Sequence, residues 1–263
     1  MTQCFFFGMP QRTLFGALHG ADAVTDTRPF LVVPPLFQEG VMSQRALWTL
    51  AESLSATGVP ALRFDWYGSG DSGGTSTDMD AAGLQVDLRL ARSRLGAASA
   101  ASAQCLVGLR SACLPLLAHA SGEDEPVDLV LWDPVWTGAT MVSAWRQQHK
   151  EQMRHAGRYL RDDMVAGDDE LAGFEVAADF LRELSVMDGR NKRLAAGSRV
   201  LLAVWEDSAA LQAFVAAQSG AGVHLEVMTL QAHDQPLWSD PFQFESQAFP
   251  RRSVSQLTQR LAA

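Results

Sequence analysis

The chain has 263 residues, and its 30 acidic and 21 basic residues give a formal net charge of −9 at pH 7. At about 150 residues per domain, this length predicts one or two domains. The acidic balance argues against binding of nucleic acid or of an anionic membrane surface through bulk charge, whereas 47% hydrophobic and 19% charged residues exclude a disordered chain and a long coiled coil.

Short apolar runs and amphipathic stretches alternate along most of the chain. We predict strands at 30–33, 61–65, 105–108, 129–132, 200–205 and 224–230, and helices at 43–57, 80–96, 114–118, 209–217 and from 253 onward. Two further apolar segments, 4–7 and 13–18, are typical of edge strands. Short strands that alternate with helices predict an α/β fold, with a mostly parallel sheet of about eight strands covered by helices on both faces.

The alternation breaks once, between Val135 and Ser198. This stretch is rich in charge, methionine and tryptophan, and it has a helical pattern without a clear strand. We interpret residues 136–197 as a helical cap inserted over the sheet. Residues 1–135 and 198–263 then form the core of one α/β domain.

The three cysteines, Cys4, Cys105 and Cys113, are too scattered for a disulfide framework, which predicts a reducing, cytoplasmic compartment. No cysteine or histidine cluster has zinc spacing and no glycine-rich phosphate loop occurs, so we expect neither a metal nor a cofactor. The first twenty residues lack a basic leader, and no apolar run reaches about 18 residues, so we expect neither a signal peptide nor a membrane span.

Candidate catalytic residues follow the later strands. In a doubly wound sheet, ligands bind beyond the carboxyl ends of the parallel strands. Glu206 and Asp207 follow the strand at 200–205, and His233 follows the last strand. An acid after a late strand and a histidine after the last one is the chain order of a nucleophile–acid–histidine triad. The alternative is that His233 is an ordinary surface-loop histidine.

The nucleophile of such a triad is expected after the strand at 105–108. A nucleophile elbow needs small residues two positions before and after the nucleophile, because the backbone there is strained. Gly108 and Ala112 fit this frame, but they enclose Arg110, which stays protonated and cannot attack a carbonyl. Ser111 is one residue late, so it is either a displaced nucleophile or the residue that opens the next helix.

Arg110 has a second interpretation as a ligand-binding residue. A guanidinium at the start of a helix and at the edge of the sheet suits an anion. The exit of the strand at 30–33 adds Pro35, Leu36 and Phe37 as further candidates for substrate contacts. Glu206 or Asp207 could pair with Arg110, and the alternative is that such an ion pair is purely structural.

A glycine-rich segment, Gly70-Asp71-Ser72-Gly73-Gly74, matches the sequence around the nucleophile of trypsin-like proteases. That fold is all-β and has its histidine and aspartate before the serine, whereas this segment follows a strand of an α/β pattern. We interpret it as a tight loop whose glycines supply positive φ angles.

Several stretches together resemble a known family. They are Phe5-Phe6-Phe7-Gly8, Leu14-Phe15-Gly16 with His19, Pro34-Pro35-Leu36-Phe37-Gln38-Glu39, Asp65-Trp66-Tyr67-Gly68-Ser69-Gly70-Asp71-Ser72, Gly108-Leu109-Arg110, Leu131-Trp132-Asp133-Pro134-Val135 with Gly138, and Gln235-Pro236-Leu237-Trp238. With them the chain resembles the α/β-hydrolase superfamily and, within it, the bacterial exosortase-A-associated hydrolase families of the kind with arginine at the elbow.

The resemblance implies an α/β-hydrolase fold, a cytoplasmic bacterial protein and a link to exopolysaccharide and protein-sorting genes. The chain departs from the superfamily because no serine occupies the nucleophile position. It departs from the arginine-elbow pattern because Ala112 stands where glycine is expected. Both departures count against ester hydrolysis by the usual acyl-enzyme route.

The first functional hypothesis is a hydrolase of ester or thioester substrates with a degenerate triad. In this hypothesis Ser111 is the nucleophile, His233 is the base, and Glu206 or Asp207 orients the histidine.

Two alternatives involve no catalysis. In one, Arg110 holds the carboxylate or phosphate of a small molecule and the 136–197 insertion acts as a lid. In the other, the chain is an interaction module of the exopolysaccharide machinery that contacts its partner through Trp136 and Trp145 of the insertion.

Overall fold

The computed structural model describes residues 1–20, 28–99, 101, 103–155, 169–238 and 249–262. The strands described are β1 Thr2–Met9, β2 Arg12–His19, β3 Phe30–Val33, β4 Ala61–Phe64, β5 Cys105–Leu109, β6 Asp128–Trp132, β7 Glu170–Leu171, β8 Phe174–Glu175, β9 Arg199–Val204 and β10 His224–Thr229. The α-helices described are α1 Phe37–Ala56, α2 Ala81–Gly96, α3 Cys113–Ala120, α4 Gly138–His155, α5 Ala178–Ser185, α6 Ala209–Ala217 and α7 Arg251–Ala262.

Eight of these strands form one sheet in the order β1-β2-β4-β3-β5-β6-β9-β10. The six strands from β4 to β10 in this order run parallel, and the β1–β2 hairpin is an antiparallel edge. Gly108 of β5 pairs with Val33 of β3 on one side and with Leu131 of β6 on the other. The carboxyl ends of these three neighbouring strands are therefore level. The predicted α/β fold with a mostly parallel sheet is confirmed.

Helices cover both faces of this sheet. On one face, α1 and α7 pack against alternate strand residues such as Val107 and Val130. On the other face, α2, α3 and α6 pack against the intervening residues, such as Leu106 and Leu129. Successive side chains of a strand point to opposite faces, and the central strands β3 and β5 are apolar on both faces.

The structure differs from the sequence prediction at the start of α1 and in the insertion. Helix α1 begins at Phe37, ahead of the predicted start at 43. The prediction missed the first turn because that turn buries the polar residue Glu39, which an apolar pattern counts as exposed. Between β6 and β9 the described residues form α4, the β7–β8 hairpin and α5. The hairpin strands have two residues each, which is too short to leave an alternating pattern.

The glycine-rich loop after β4 has a structural role. Gly70 has a φ of +55°, and a Cβ atom there would lie 2.2 Å from Oδ2 of Asp65. The Ser72 hydroxyl donates to the Asp65 carbonyl (2.6 Å) and accepts from the Phe15 amide (2.9 Å). Ser72 therefore fastens the loop to β2. No helix among the described residues is long and apolar enough to span a membrane.

His119 makes the stability of the fold dependent on pH. Its side chain is 3% exposed in α3, and its Nε2 accepts a hydrogen bond from Nη1 of Arg92 (2.8 Å). Burial first, and then the positive charge of Arg92, lower the pKa of His119 from 6.5 to about 4. The unfolded chain therefore takes up a proton between about pH 6.5 and pH 4 that the folded chain excludes.

We therefore expect His119 to remove stability on the order of 3 kcal/mol as the pH falls through this window, since one pKa unit corresponds to about 1.4 kcal/mol. Urea unfolding at pH 7.0, 5.5 and 4.5 measures the loss. The His119→Gln variant should lose correspondingly less over the same range, and His224→Gln, at an exposed position on β10, is the control. An identical pH dependence in His119→Gln and the native chain would contradict the prediction.

Candidate functional site

Arg110 occupies the strained position at the end of β5. Its φ is +50°, and it is the first residue of the 3-10 turn Arg110–Ala112, which leads directly into α3. Non-glycine residues avoid this left-handed region, and those that adopt it are concentrated at functional sites. The small residues of the frame, Gly108 and Ala112, are both buried. Arg110 therefore combines a positive φ with small, buried residues two positions before and after it.

Two carboxylates hold the guanidinium of Arg110. Glu39 Oε1 accepts from Nε (3.2 Å) and Nη2 (3.1 Å) of Arg110, and Asp133 Oδ2 accepts from Nη1 (3.0 Å). The side chains of Glu39, Asp133 and Arg110 are 6%, 20% and 27% exposed. Trp238 Nε1 also donates to Asp133 Oδ2 (3.0 Å). We call Glu39, Arg110, Asp133 and Trp238 the elbow network.

The charges of the elbow network bear on the anion-binding hypothesis. Burial lowers the pKa of Arg110, but the carboxylates of Glu39 and Asp133 more than offset it, so the pKa is raised overall. One positive and two negative charges leave the network with a net charge of −1. Arg110 is therefore already neutralised by the protein itself, which is unfavourable for the capture of an anion.

Ser111 lies beside this network but is completely buried. Its backbone N–H donates to Oε2 of Glu39 (3.1 Å), and its hydroxyl accepts from the backbone N–H of Leu36 (2.9 Å). It does not cap the following helix through its side chain. In an α/β-hydrolase, the oxyanion hole is built from the N–H that follows the nucleophile and an N–H of the loop after the third strand. Here the Ser111 N–H and the Leu36 N–H both have partners within the chain.

The loop between β3 and α1 is buried at the predicted substrate contacts. Pro35, Leu36 and Phe37 are all shielded from solvent. Phe37 has a φ of +51°, and its ring forms an edge contact with Trp145 of α4, with centroids 5.5 Å apart. The loop therefore connects the elbow network to the insertion.

None of the described hydrogen bonds joins two residues of the predicted triad. His233 is exposed in the 3-10 turn after β10, and its Nε2 contacts Nη1 of Arg252. Glu206 and Asp207 are exposed after β9, and both carboxylate oxygens of Asp207 accept from Nε2 of Gln212 (2.9 and 2.8 Å). The described hydrogen bonds of these residues and of Ser111 go to separate partners.

The sequence prediction missed the real partners of Arg110. The prediction considered Glu206 and Asp207, which follow β9. In the structure, Arg110 pairs instead with Glu39, which follows β3, and with Asp133, which follows β6. The signal that identifies these partners is the strand order, because β3 and β6 are the neighbours of β5. Within the described ranges, no group of three or more His, Cys, Asp or Glu side chains is arranged to hold a metal ion.

Comparison with known proteins identifies the fold. No family model and no curated protein matches the sequence. Among solved structures, Est1E from Butyrivibrio proteoclasticus with ferulic acid bound superposes with a TM-score of 0.64 and 16% identity, over 98% of this chain and 100% of that chain. Proline iminopeptidase of Mycobacterium smegmatis gives 0.62 and 12% identity, over 98% and 97% of the two chains. The Pyrococcus furiosus esterase Pf2001 gives 0.61 and 13%, over 99% and 91%. The chain therefore has the α/β-hydrolase fold.

Proposed function

We propose that this protein uses its α/β-hydrolase fold to bind a small molecule beneath the cap and does not hydrolyse it through a serine nucleophile. The observation that carries the proposal is the elbow network. The nucleophile position holds Arg110, and Glu39 and Asp133 fix its guanidinium by three hydrogen bonds. An arginine that stays protonated offers no electron pair for attack on a carbonyl.

The surroundings of Ser111 oppose acyl transfer at three points. The hydroxyl is fully buried and already accepts a hydrogen bond from the Leu36 N–H (2.9 Å). The base that would activate it, His233, contacts Arg252 instead. The N–H groups that would stabilise an oxyanion already bind Glu39 and the Ser111 hydroxyl.

The resemblance to the exosortase-A-associated families supports the same proposal. Four of the stretches that carry the resemblance supply the elbow network: the one ending at Glu39, the one ending at Arg110, the one around Asp133 and the one ending at Trp238. We propose that this network, rather than a triad, is the shared feature of the arginine-elbow kind. We further propose a bacterial, cytoplasmic protein that works beside exopolysaccharide and protein-sorting systems.

The comparison structures support a small-molecule ligand. Est1E holds ferulic acid, an aromatic carboxylic acid, in a chain of the same fold. A fold does not determine function, so the ligand of this chain has to follow from its own site.

A fluorophosphonate probe tests the proposal. Such a probe modifies activated serines, so the native chain should show no adduct by intact mass, while a known serine hydrolase treated alongside is labelled. The matched variants are Ser111→Ala and His233→Ala, which should behave as the native chain does. A single adduct on the native chain that disappears in both variants would refute the proposal. It would instead support the hydrolase hypothesis for ester or thioester substrates, in which Ser111 acts as a displaced nucleophile.

A further inference from the structure

Helix α4 presents a stripe of polar side chains to the protein interior. Trp145, His149 and Gln152 are spaced i, i+4 and i+7, so they share one face of the helix. Trp145 is 5% exposed and His149 is 2% exposed. We call these three residues the α4 donor stripe.

The hydrogen bond on one side of His149 determines its tautomer. The backbone N–H of Ala172 donates to Nδ1 of His149 (2.8 Å). Because a backbone N–H can only donate, Nδ1 is unprotonated and the ring proton is on Nε2. Ala172 lies in the turn of the β7–β8 hairpin with a φ of +51°, a conformation that is strained for alanine. A strained turn therefore holds the His149 ring so that Nε2 is a donor.

The donors of the stripe have no acceptor among the described residues. Nε1 of Trp145, Nε2 of His149 and Nε2 of Gln152 are buried, and none of them has a hydrogen-bond partner in the part of the chain that the structure describes. More than nine in ten buried polar groups in native proteins are paired. Three unpaired atoms on one helix face, all of them donors, point to an acceptor that comes from outside the described chain.

Aromatic side chains lie beside one end of the stripe, at Trp145. The Phe37 ring contacts Trp145, and it also lies 5.6 Å from the ring of Phe174 and 6.0 Å from the ring of Phe180. Offset and edge contacts of this kind also accommodate an aromatic ring of a ligand. A carboxylate, which only accepts hydrogen bonds, suits the unpaired donors, and an aromatic ring attached to it suits the neighbouring phenylalanine rings.

We propose that the α4 donor stripe binds the carboxylate of a small aromatic acid, whose ring packs against the Phe37 cluster. This inference rests on the proposed function, because it assigns the ligand of the non-catalytic site. The anion then binds at the unpaired donors of α4 and not at Arg110, because Glu39 and Asp133 already neutralise the charge of Arg110.

Isothermal titration calorimetry on the full chain with trans-cinnamate tests the inference, with cinnamyl alcohol as the uncharged analogue. Because hydrogen bonds to a charged group are the stronger ones, cinnamate should bind at least about tenfold more tightly than the alcohol. The Gln152→Glu variant replaces a donor with a carboxylate and should weaken cinnamate binding by at least about tenfold. Equal affinities for the two compounds, or no binding of cinnamate, would overturn the inference.

The matched control is Gln147→Glu, which adds the same charge to the exposed face of α4. It should bind cinnamate as the native chain does, because the exposed Gln147 side chain bonds to Glu151 of the same helix and not to the stripe. If it weakens binding as much as Gln152→Glu does, the effect is general charge repulsion and the donor stripe is refuted.

An NMR measurement on the native chain keeps the inference testable if Gln152→Glu fails to fold. Addition of cinnamate should shift the indole N–H signal of Trp145 downfield, with Trp145→Phe to assign that signal. The exposed Trp48 supplies a reference signal that should stay unchanged. An unshifted Trp145 signal at saturating cinnamate would refute the site. The fluorophosphonate result is independent, because labelling reports on serine chemistry and not on this binding.

Discussion

Replacing Arg110 with alanine is expected to lower the free energy of unfolding by about 3–5 kcal/mol at pH 7, because removing one partner of a buried ion pair leaves the other charge uncompensated. Glu39 is 6% exposed and Asp133 is 20% exposed, so neither carboxylate regains full hydration once the guanidinium is gone. Urea unfolding of the native chain and of Arg110→Ala, followed by circular dichroism, measures the difference.

The control for this prediction is Arg199→Ala. Arg199 also forms a two-point ion pair, to Asp128, but its side chain is 62% exposed. Exposed ion pairs contribute about 1 kcal/mol or less, and Asp128 keeps Arg28 as a second partner. Equal losses in the two variants would mean that the elbow network is no more important to stability than a surface pair.

A companion variant separates backbone strain from charge. Arg110→Gly removes the same guanidinium as Arg110→Ala, but glycine tolerates a φ of +50°. The glycine variant should therefore be more stable than the alanine variant by about 1 kcal/mol, the order of the penalty for a left-handed residue that carries a Cβ atom. If alanine is the more stable of the two, the elbow backbone relaxes once the arginine is removed.

Most of the fold could be predicted from the sequence because its central strands are short, apolar and separated by helices. The run at 105–108 and the leucines of 80–96 predict β5 and α2 to within one residue at each end. The prediction failed where polar residues are buried or elements are very short. Buried Glu39 concealed the first turn of α1, and the two-residue strands of the β7–β8 hairpin carry no periodicity.

The candidate site was predictable in part. The elbow frame predicts that Arg110 is at the position of a nucleophile, because the steric rule depends on residues close in sequence. The partners of Arg110 depend on strand order, which is a tertiary property. A chain-order argument favours acids after late strands, whereas contact in space follows the sheet, where β3 and β6 flank β5. The α4 donor stripe was missed for a related reason: the pattern of α4 indicates which face is buried, but not that its donors lack acceptors.

The second large effect is expected at Gly138, the first residue of α4. A Cβ atom at this position would lie 1.6 Å from the carbonyl oxygen of Leu184 and 2.6 Å from its carbonyl carbon. The Gly138 N–H donates to the Met187 carbonyl (2.9 Å), so the start of α4 is held directly against the end of α5. No side-chain rotation relieves a clash with backbone, so Gly138→Ala must separate the two helices.

Gly138→Ala is therefore expected to lower the free energy of unfolding by about 3 kcal/mol, the upper part of the usual range for overpacking. Because the donor stripe is on α4, the same variant should also weaken cinnamate binding by at least about tenfold, a loss of about 1.4 kcal/mol.

The control is Gly189→Ala, whose Cβ atom would meet a side-chain atom, Cδ1 of Leu117, at 2.9 Å. A leucine methyl can rotate away where a carbonyl cannot, so this variant should lose about 1 kcal/mol or less. If Gly138→Ala displaces α4 and cinnamate still binds with native affinity, the ligand does not depend on this helix. If both variants are equally stable, the contact between α4 and α5 yields more easily than the structure indicates.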